Sequence, residues 1–364
     1  MYKKSIVWTA FAILFFQCPF VKGQDYKTEN IILITLDGLR WQEVFQGADS
    51  LLVGDPALVK NPKSLVNDFW DDSPQKRREL LMPFFWNTLA NEGQLYGNRA
   101  YGNKVDNSNK MWFSYPGYNE LLSGFADDKR ITSNDKIDNP NVTLLEYLNQ
   151  MDEFKGRVLA FGSWDVFPFI INEKRSGVPV NAGFDIAEGE NLTPEEVLTN
   201  KLQAEIRGPW DGVRLDAFTQ SYAMSALKNK KPKVLYISYG ETDDWAHDNH
   251  YDQYIWSARQ TDAYIKEIWD FVQSHAQYKD KTTMIITTDH GRGITKTSWR
   301  NHGSSVPEGG EIWMAAIGPD TPSTGEFQSQ GQWHSAGIAR TIFQLLGMEY
   351  PDAKAGKAIK EMMK

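Results

Sequence analysis

Six side chains able to hold a divalent ion stand in three short stretches of this 364-residue sequence. Asp37 closes the apolar run "IILITL". Asp243 and His247 lie four residues apart in "YGETDDWAH", which puts them on one face of a helical turn. Asp289 and His290 are adjacent in "TTDHG", and His302 follows twelve residues later in "NHG". Carboxylate oxygens and imidazole nitrogens together are ligands for zinc or a similar divalent ion. Thiolate cannot contribute, because the single cysteine, Cys18, sits in the leader-like N-terminus. Asp37, Asp289 and His290 can make one ion site, and Asp243, His247 and His302 a second. Two ions held about 4 Å apart suit in-line phosphoryl transfer, one at the nucleophile and one at the leaving oxygen. His334 in "GQWHSAG" is a rival to His302, while His250 and His275 are expected at the surface or behind the ligands.

Ligands this far apart in sequence need a scaffold that gathers them. Five runs predict buried strands: 30–36, 157–162, 233–239, 282–288 and 311–318. Their apolarity is continuous rather than alternating, as in a sheet covered on both faces. Helical patterns at 143–151, 214–229 and 254–275 alternate with them, which predicts an α/β fold with a mostly parallel central sheet. Three of the runs end close to Asp37, Asp243 and Asp289, and sites in such sheets gather at the carboxyl ends of strands.

Composition narrows the partners. Residues 1–23 have a basic start, an apolar stretch and a small-residue ending, the pattern of a secretory signal. Residues 24–364 are then expected as one catalytic domain, periplasmic or secreted, with no stable membrane anchor after cleavage. Insertions are expected at about 45–80 and 165–212, the latter as a cap or lid. A net charge of −8 with no basic run argues against binding a nucleic-acid backbone. Thirteen tryptophans include Trp41, Trp112, Trp164, Trp245 and Trp299 near the motifs. Singly they read as packing; together they permit an aromatic-walled pocket.

"LITLDGLRW", "FSYPGYNELLSG", "YGETDDWAH" and "TTDHG…NHG" fall in the order and rough spacing of the alkaline phosphatase superfamily of metal-dependent hydrolases. The chain resembles most its nucleotide pyrophosphatase/phosphodiesterase and phosphopentomutase–phosphoglycerate mutase branches. The resemblance spans residues 30–40, 84–124, 233–250 and 282–345. It implies an alkaline-phosphatase-like three-layer α/β/α sandwich and two divalent ions, zinc ahead of manganese. The six ligands match the family's motifs one by one, and Ser114 falls at the family's Thr or Ser nucleophile. Ser114 is itself expected to touch an ion, in a bend favoured by Pro116 and Gly117 that exposes its hydroxyl. Asn134 matches an asparagine that contacts a phosphoryl oxygen, with Asn139 as its rival. Lys174 and Arg175 are candidates for neutralising the extra charge of a monoester. The implied activity is hydrolysis of a small phosphate ester through a phosphoseryl intermediate, with a lean to monoesters over diesters. A sulfatase-like activity is the minor alternative, since Tyr118 stands where sulfatases carry their maturation arginine. A non-catalytic phosphate- or glycan-binding descendant is the other.

Overall fold

In the computed structural model, which describes residues 26–364, the continuous apolar runs form the inner strands of an eight-stranded sheet. The signal-like residues 1–23 and Cys18 lie outside the described residues. In chain order the strands are β1 (Asn30–Leu36), β2 (Gln94–Tyr96), β3 (Asn103–Asp106), β4 (Val158–Gly162), β5 (Val180–Ala182) and β6 (Val234–Tyr239). They continue with β7 (Thr282–Thr287), β8 (Glu311–Ile312), β9 (Met314–Ile317), β10 (Gly325–Glu326) and β11 (Gly331–His334). The large sheet runs β10-β2-β9-β7-β1-β6-β4-β5, and a small one runs β11-β3-β8. From β7 through β1, β6 and β4 to β5 the pairing is parallel; β9 is antiparallel to both β7 and β2.

Both faces of the inner strands are covered, which explains why their sequences do not alternate. Ile32, Ile34, Leu235, Ile237, Met284 and Ile286 face one apolar cluster, together with Ile255, Ile265 and Ile268 of the helix Tyr251–Ser274. Ile31, Leu33, Val234, Tyr236 and Ile285 face the other, with the helices Ser114–Ser123, Leu144–Gln150 and Ile338–Leu345. The result is the three-layer α/β/α sandwich. Residues 45–80 place Leu52, Val53, Leu58, Leu65 and Phe69 in the first cluster. Residues 165–212 supply edge strand β5 and the helix Pro194–Glu205.

The expected single strand 311–318 is instead two strands in two sheets. Trp313 divides them: its carbonyl accepts from Thr287 Oγ1 at 2.6 Å and its indole donates to Leu39 O at 2.9 Å. Those two bonds turn the chain out of the large sheet just where β9 meets the end of β7. No helix among the described residues is long and apolar enough to cross a membrane.

Register then sets up the site. Thr35 of β1 pairs with both Ser238 of β6 and Thr287 of β7, so the three strands end level with one another. The residues that follow, Asp37, Asp243 and Asp289, emerge together at the carboxyl ends of these central strands.

Candidate metal centre

The structure gathers the six expected ligands into two groups of three, each with ligand atoms within 4.8 Å of one another. Asp37, Asp289 and His290 form a buried group; Asp243, His247 and His302 form one nearer the solvent. Asp243 and His247 share a face of the short helix Glu241–His247, with His247 Nε2 3.2 Å from Asp243 Oδ2. His247 Nε2 and His302 Nε2 converge to 2.9 Å. His290 Nε2 lies 3.3 Å from Asp37 Oδ1 and 3.6 Å from Asp289 Oδ2. Ligands about 2 Å from a shared tetrahedral ion stand roughly 3.3 Å from each other, so these spacings fit.

The imidazoles are held for this task. His290 Nδ1 lies 3.0 Å from Gly291 O, and His302 Nδ1 lies 3.2 Å from Trp112 O. A carbonyl on Nδ1 fixes the tautomer with its proton there and presents the Nε2 lone pair inward. The two rings stack at 3.9 Å, so one loop delivers a histidine to each group. Trp112 reaches its position at φ +49, an uncommon conformation for a bulky residue. Its carbonyl also accepts from Gly303 N at 2.8 Å, so this local strain aims one carbonyl at the His302 loop.

Three aspartates in one buried cluster repel one another. Burial, and then the charge of Asp243, push Asp37 well above the usual carboxylate range. Burial and Asp37 do the same to Asp289. Burial would also raise Asp243, but Arg292 and His247 hold it well below that range. Burial and His290 depress His302, which keeps its imidazole neutral as a ligand must be. Asp37 Oδ1 and Asp289 Oδ2 are buried with no hydrogen-bond partner. Buried polar atoms are rarely left so, and a cation is the partner this donor set suits.

Ser114 stands beside this cluster, its Oγ 3.4 Å from His290 Nε2. The expected exposed bend is not what forms. Ser114 is the first residue of the helix Ser114–Ser123 and is 5% exposed. Pro116 is tolerated there because first-turn N–H groups have no intrahelical partner. Gly117 has a packing reason: a Cβ on it would come within 2.3 Å of Asp289 O. Asn134 is anchored one residue away, its Oδ1 accepting from Tyr115 N at 3.0 Å.

Lys174 and Arg175 are not brought to the cluster. Arg175 donates to both Glu146 oxygens and to the carbonyls of Asn139 and Asn141, which ties the helix Leu144–Gln150 to the loop before it. Lys174 is 80% exposed and faces Asp138 at 3.7 Å. Asn139 is buried against Asn119 and Ile170, a structural role. His334 is exposed at the end of β11; His250 packs edge-on to Trp245 and His275 stacks on Phe271. None of the three belongs to either ligand group.

Four contributors carried no sequence signal. Tyr118 donates to Asp37 Oδ2 at 2.9 Å and accepts from Ser238 Oγ at 3.1 Å. Thr242 donates to Asp37 O. The guanidinium of Arg292, buried, pairs with Asp243 Oδ1. Gly38 sits between the two groups at φ +58. A Cβ on it would meet Arg292 Nε at 2.8 Å, Asp243 Oδ1 at 2.9 Å and His290 Cε1 at 2.9 Å. Gly38→Ala is therefore expected to destabilise the fold by about 1–3 kcal/mol, from overpacking and the left-handed backbone. Urea denaturation checks it; a change under about 0.5 kcal/mol would contradict the close packing.

Residues 214–349 match the Metalloenzyme superfamily model, a span that holds five of the six ligands. No curated protein matches the chain significantly. Among solved structures, the alkaline phosphatase PafA superposes with a TM-score of 0.60 at 10% identity, over 93% of this chain and 99% of that one. The phosphonate monoester hydrolase SpPMH from Silicibacter pomeroyi gives 0.55 at 13%, over 92% and 76%. BT1596, a 2-O GAG sulfatase, gives 0.56 at 13%, over 92% and 74%. The likeness to these solved structures is one of fold, and the family match covers the part of the chain that carries five of the six ligands.

Proposed function

We propose that the chain is a metal-dependent hydrolase of phosphoric esters with Ser114 as nucleophile, acting outside the cytosol if residues 1–23 direct export as their pattern predicts. The observation that carries this is a serine hydroxyl at a helix start, 3.4 Å from a ligand histidine and next to two ready-made ligand groups. Bound divalent ions, zinc ahead of manganese, would supply Lewis acidity and charge neutralisation at the reacting oxygens. The chain's own residues do the rest. Ser114 Oγ attacks phosphorus, the ester P–O bond breaks, and the alcohol leaves with a proton. Water then cleaves the phosphoseryl ester and restores the hydroxyl. The helix N-terminus adds partial positive charge beside the phosphoryl group. Tyr118 and Thr242 hold Asp37, and Asn134 steadies the first helical turn.

Diesters are favoured over monoesters, which reverses the lean drawn from Lys174 and Arg175. Both cations are engaged elsewhere. Neither is then at hand to meet the extra negative charge of a monoester dianion, a charge that a diester monoanion does not carry. Initial rates on p-nitrophenyl phosphate, bis-p-nitrophenyl phosphate and p-nitrophenyl sulfate test this. The diester is expected to show the highest kcat/KM. Turnover of the sulfate alone, or none with both ions bound, would overturn the assignment.

A further inference from the structure

We infer that Arg292 makes the two ion sites unequal: Asp37, Asp289 and His290 hold an ion tightly, whereas Asp243, His247 and His302 form a weaker, exchangeable site. The inference rests on the proposed two-ion function and deepens it.

Three observations point the same way. The first is charge. The inner group has two carboxylates; the outer has one, and that one is ion-paired to the Arg292 guanidinium. Arg292 cannot swing aside, because Nε donates to Gly38 O at 3.1 Å, Nη1 to Arg300 O at 2.7 Å and Nη2 to Asp243 O at 3.1 Å. A fixed cation in a buried site repels a divalent ion more than it would in water.

The second observation is the state of the ligand atoms. Asp37 Oδ1 and Asp289 Oδ2 have no hydrogen-bond partner. The ion-pair neighbour they share, His290, is itself a ligand of the same group, so an ion need displace no outside group from them. Asp243 Oδ1, by contrast, is already engaged by Arg292, which is not a ligand. An ion at the outer group must share or break that contact. The third is access: the inner ligands are buried, while the His247 side chain is 44% exposed. An ion can leave the outer group without passing the inner one.

Arg292 also steers Asp243, and losing such a supporting contact typically costs 10–100-fold in metal affinity. Charge and steering therefore predict opposite effects of removing it, and two substitutions separate them. Lysine keeps the charge and loses the planar fork; methionine loses both.

The test is calorimetric titration of the chelator-treated full chain with zinc chloride, with bound zinc counted by mass spectrometry. The wild-type chain is expected to bind two zinc ions in two steps at least tenfold apart. His247→Ala, at an exposed position, is expected to remove the weaker step and leave the tighter. Arg292→Met is expected to tighten the weaker step toward the other, while Arg292→Lys keeps them apart. Two indistinguishable steps in the wild type would overturn the inference, as would loss of the tighter step in His247→Ala. So would a folded Arg292→Met whose weaker step stays or loosens. Should Arg292→Met not fold, Arg292→Gln, which also removes the charge, takes its place with the same expected and overturning results. Absence of any bound zinc would overturn the two-ion function itself, which separates the two failures.

Discussion

Ser114→Ala is expected to lower turnover of an activated phosphate diester by on the order of a thousandfold or more, with the fold and zinc content kept. A nucleophile's loss removes the first covalent step, and neighbouring groups cannot replace it. The fold has little to lose: among the described residues the hydroxyl's hydrogen-bond partner is the His290 ring. Alanine also suits the first position of a helix, so the Ser114–Ser123 segment should form unchanged. The checks are initial rates on bis-p-nitrophenyl phosphate, zinc counted per chain, and circular dichroism. Residual activity within tenfold of wild type would remove Ser114 from the nucleophile's role. Lost zinc would make it chiefly a ligand.

Asp37→Asn is expected to change the sign of its effect with metal. In chelator the variant should be more stable than wild type at neutral pH by about 1–3 kcal/mol, because it drops a negative charge that burial and the neighbouring aspartate disfavour. Asp37 is buried beside Asp289 and Asp243, and its Oδ1 has no partner. Asparagine keeps an oxygen for Tyr118 and removes the charge. With zinc the order should invert, because a missing ligand weakens the inner site and with it the stabilisation that binding confers, about 2.7 kcal/mol at a hundredfold excess over Kd.

The pH dependence in chelator has a definite sign. Asp37 has a folded pKa raised above its unfolded value, so its contribution to stability is whole below about pH 4 and is lost as pH rises through the folded value. The variant's advantage should therefore vanish near pH 4 and grow toward neutrality. Urea denaturation with and without zinc, at pH 4 and pH 7.5, measures all four corners. A variant less stable than wild type in chelator at pH 7.5 would show that the Asp37 carboxylate is not a strained group.

How the site was legible follows from where its residues sit. Asp37, Asp243 and Asp289 come within a few residues of apolar runs, and those runs are strands because both sheet faces need covering. His247 was visible through its four-residue spacing from Asp243, a local property of one helical turn. His290 and His302 were visible as a rarity, two of only six histidines within thirteen residues. Ser114 emerged from the family resemblance; nothing in "FSYPGYN" by itself distinguishes a nucleophile from a turn serine.

The tertiary structure decided the rest, because the deciding contacts join residues far apart in the chain. Arg292 meets Asp243 across 49 positions, Tyr118 meets Asp37 across 81, and the Trp112 carbonyl meets His302 across 190. Such partners leave no periodicity or spacing behind them. For the same reason Lys174 and Arg175 looked available: a short basic pair does not announce that Glu146, 29 residues away, already holds the arginine. Local chemistry, the four central strands near 30–36, 157–162, 233–239 and 282–288, and the ligand types were written in the sequence. Which charges face each other, and so whether the site suits a dianion or which ion it releases first, depended on strand order and register, which bring those distant side chains together.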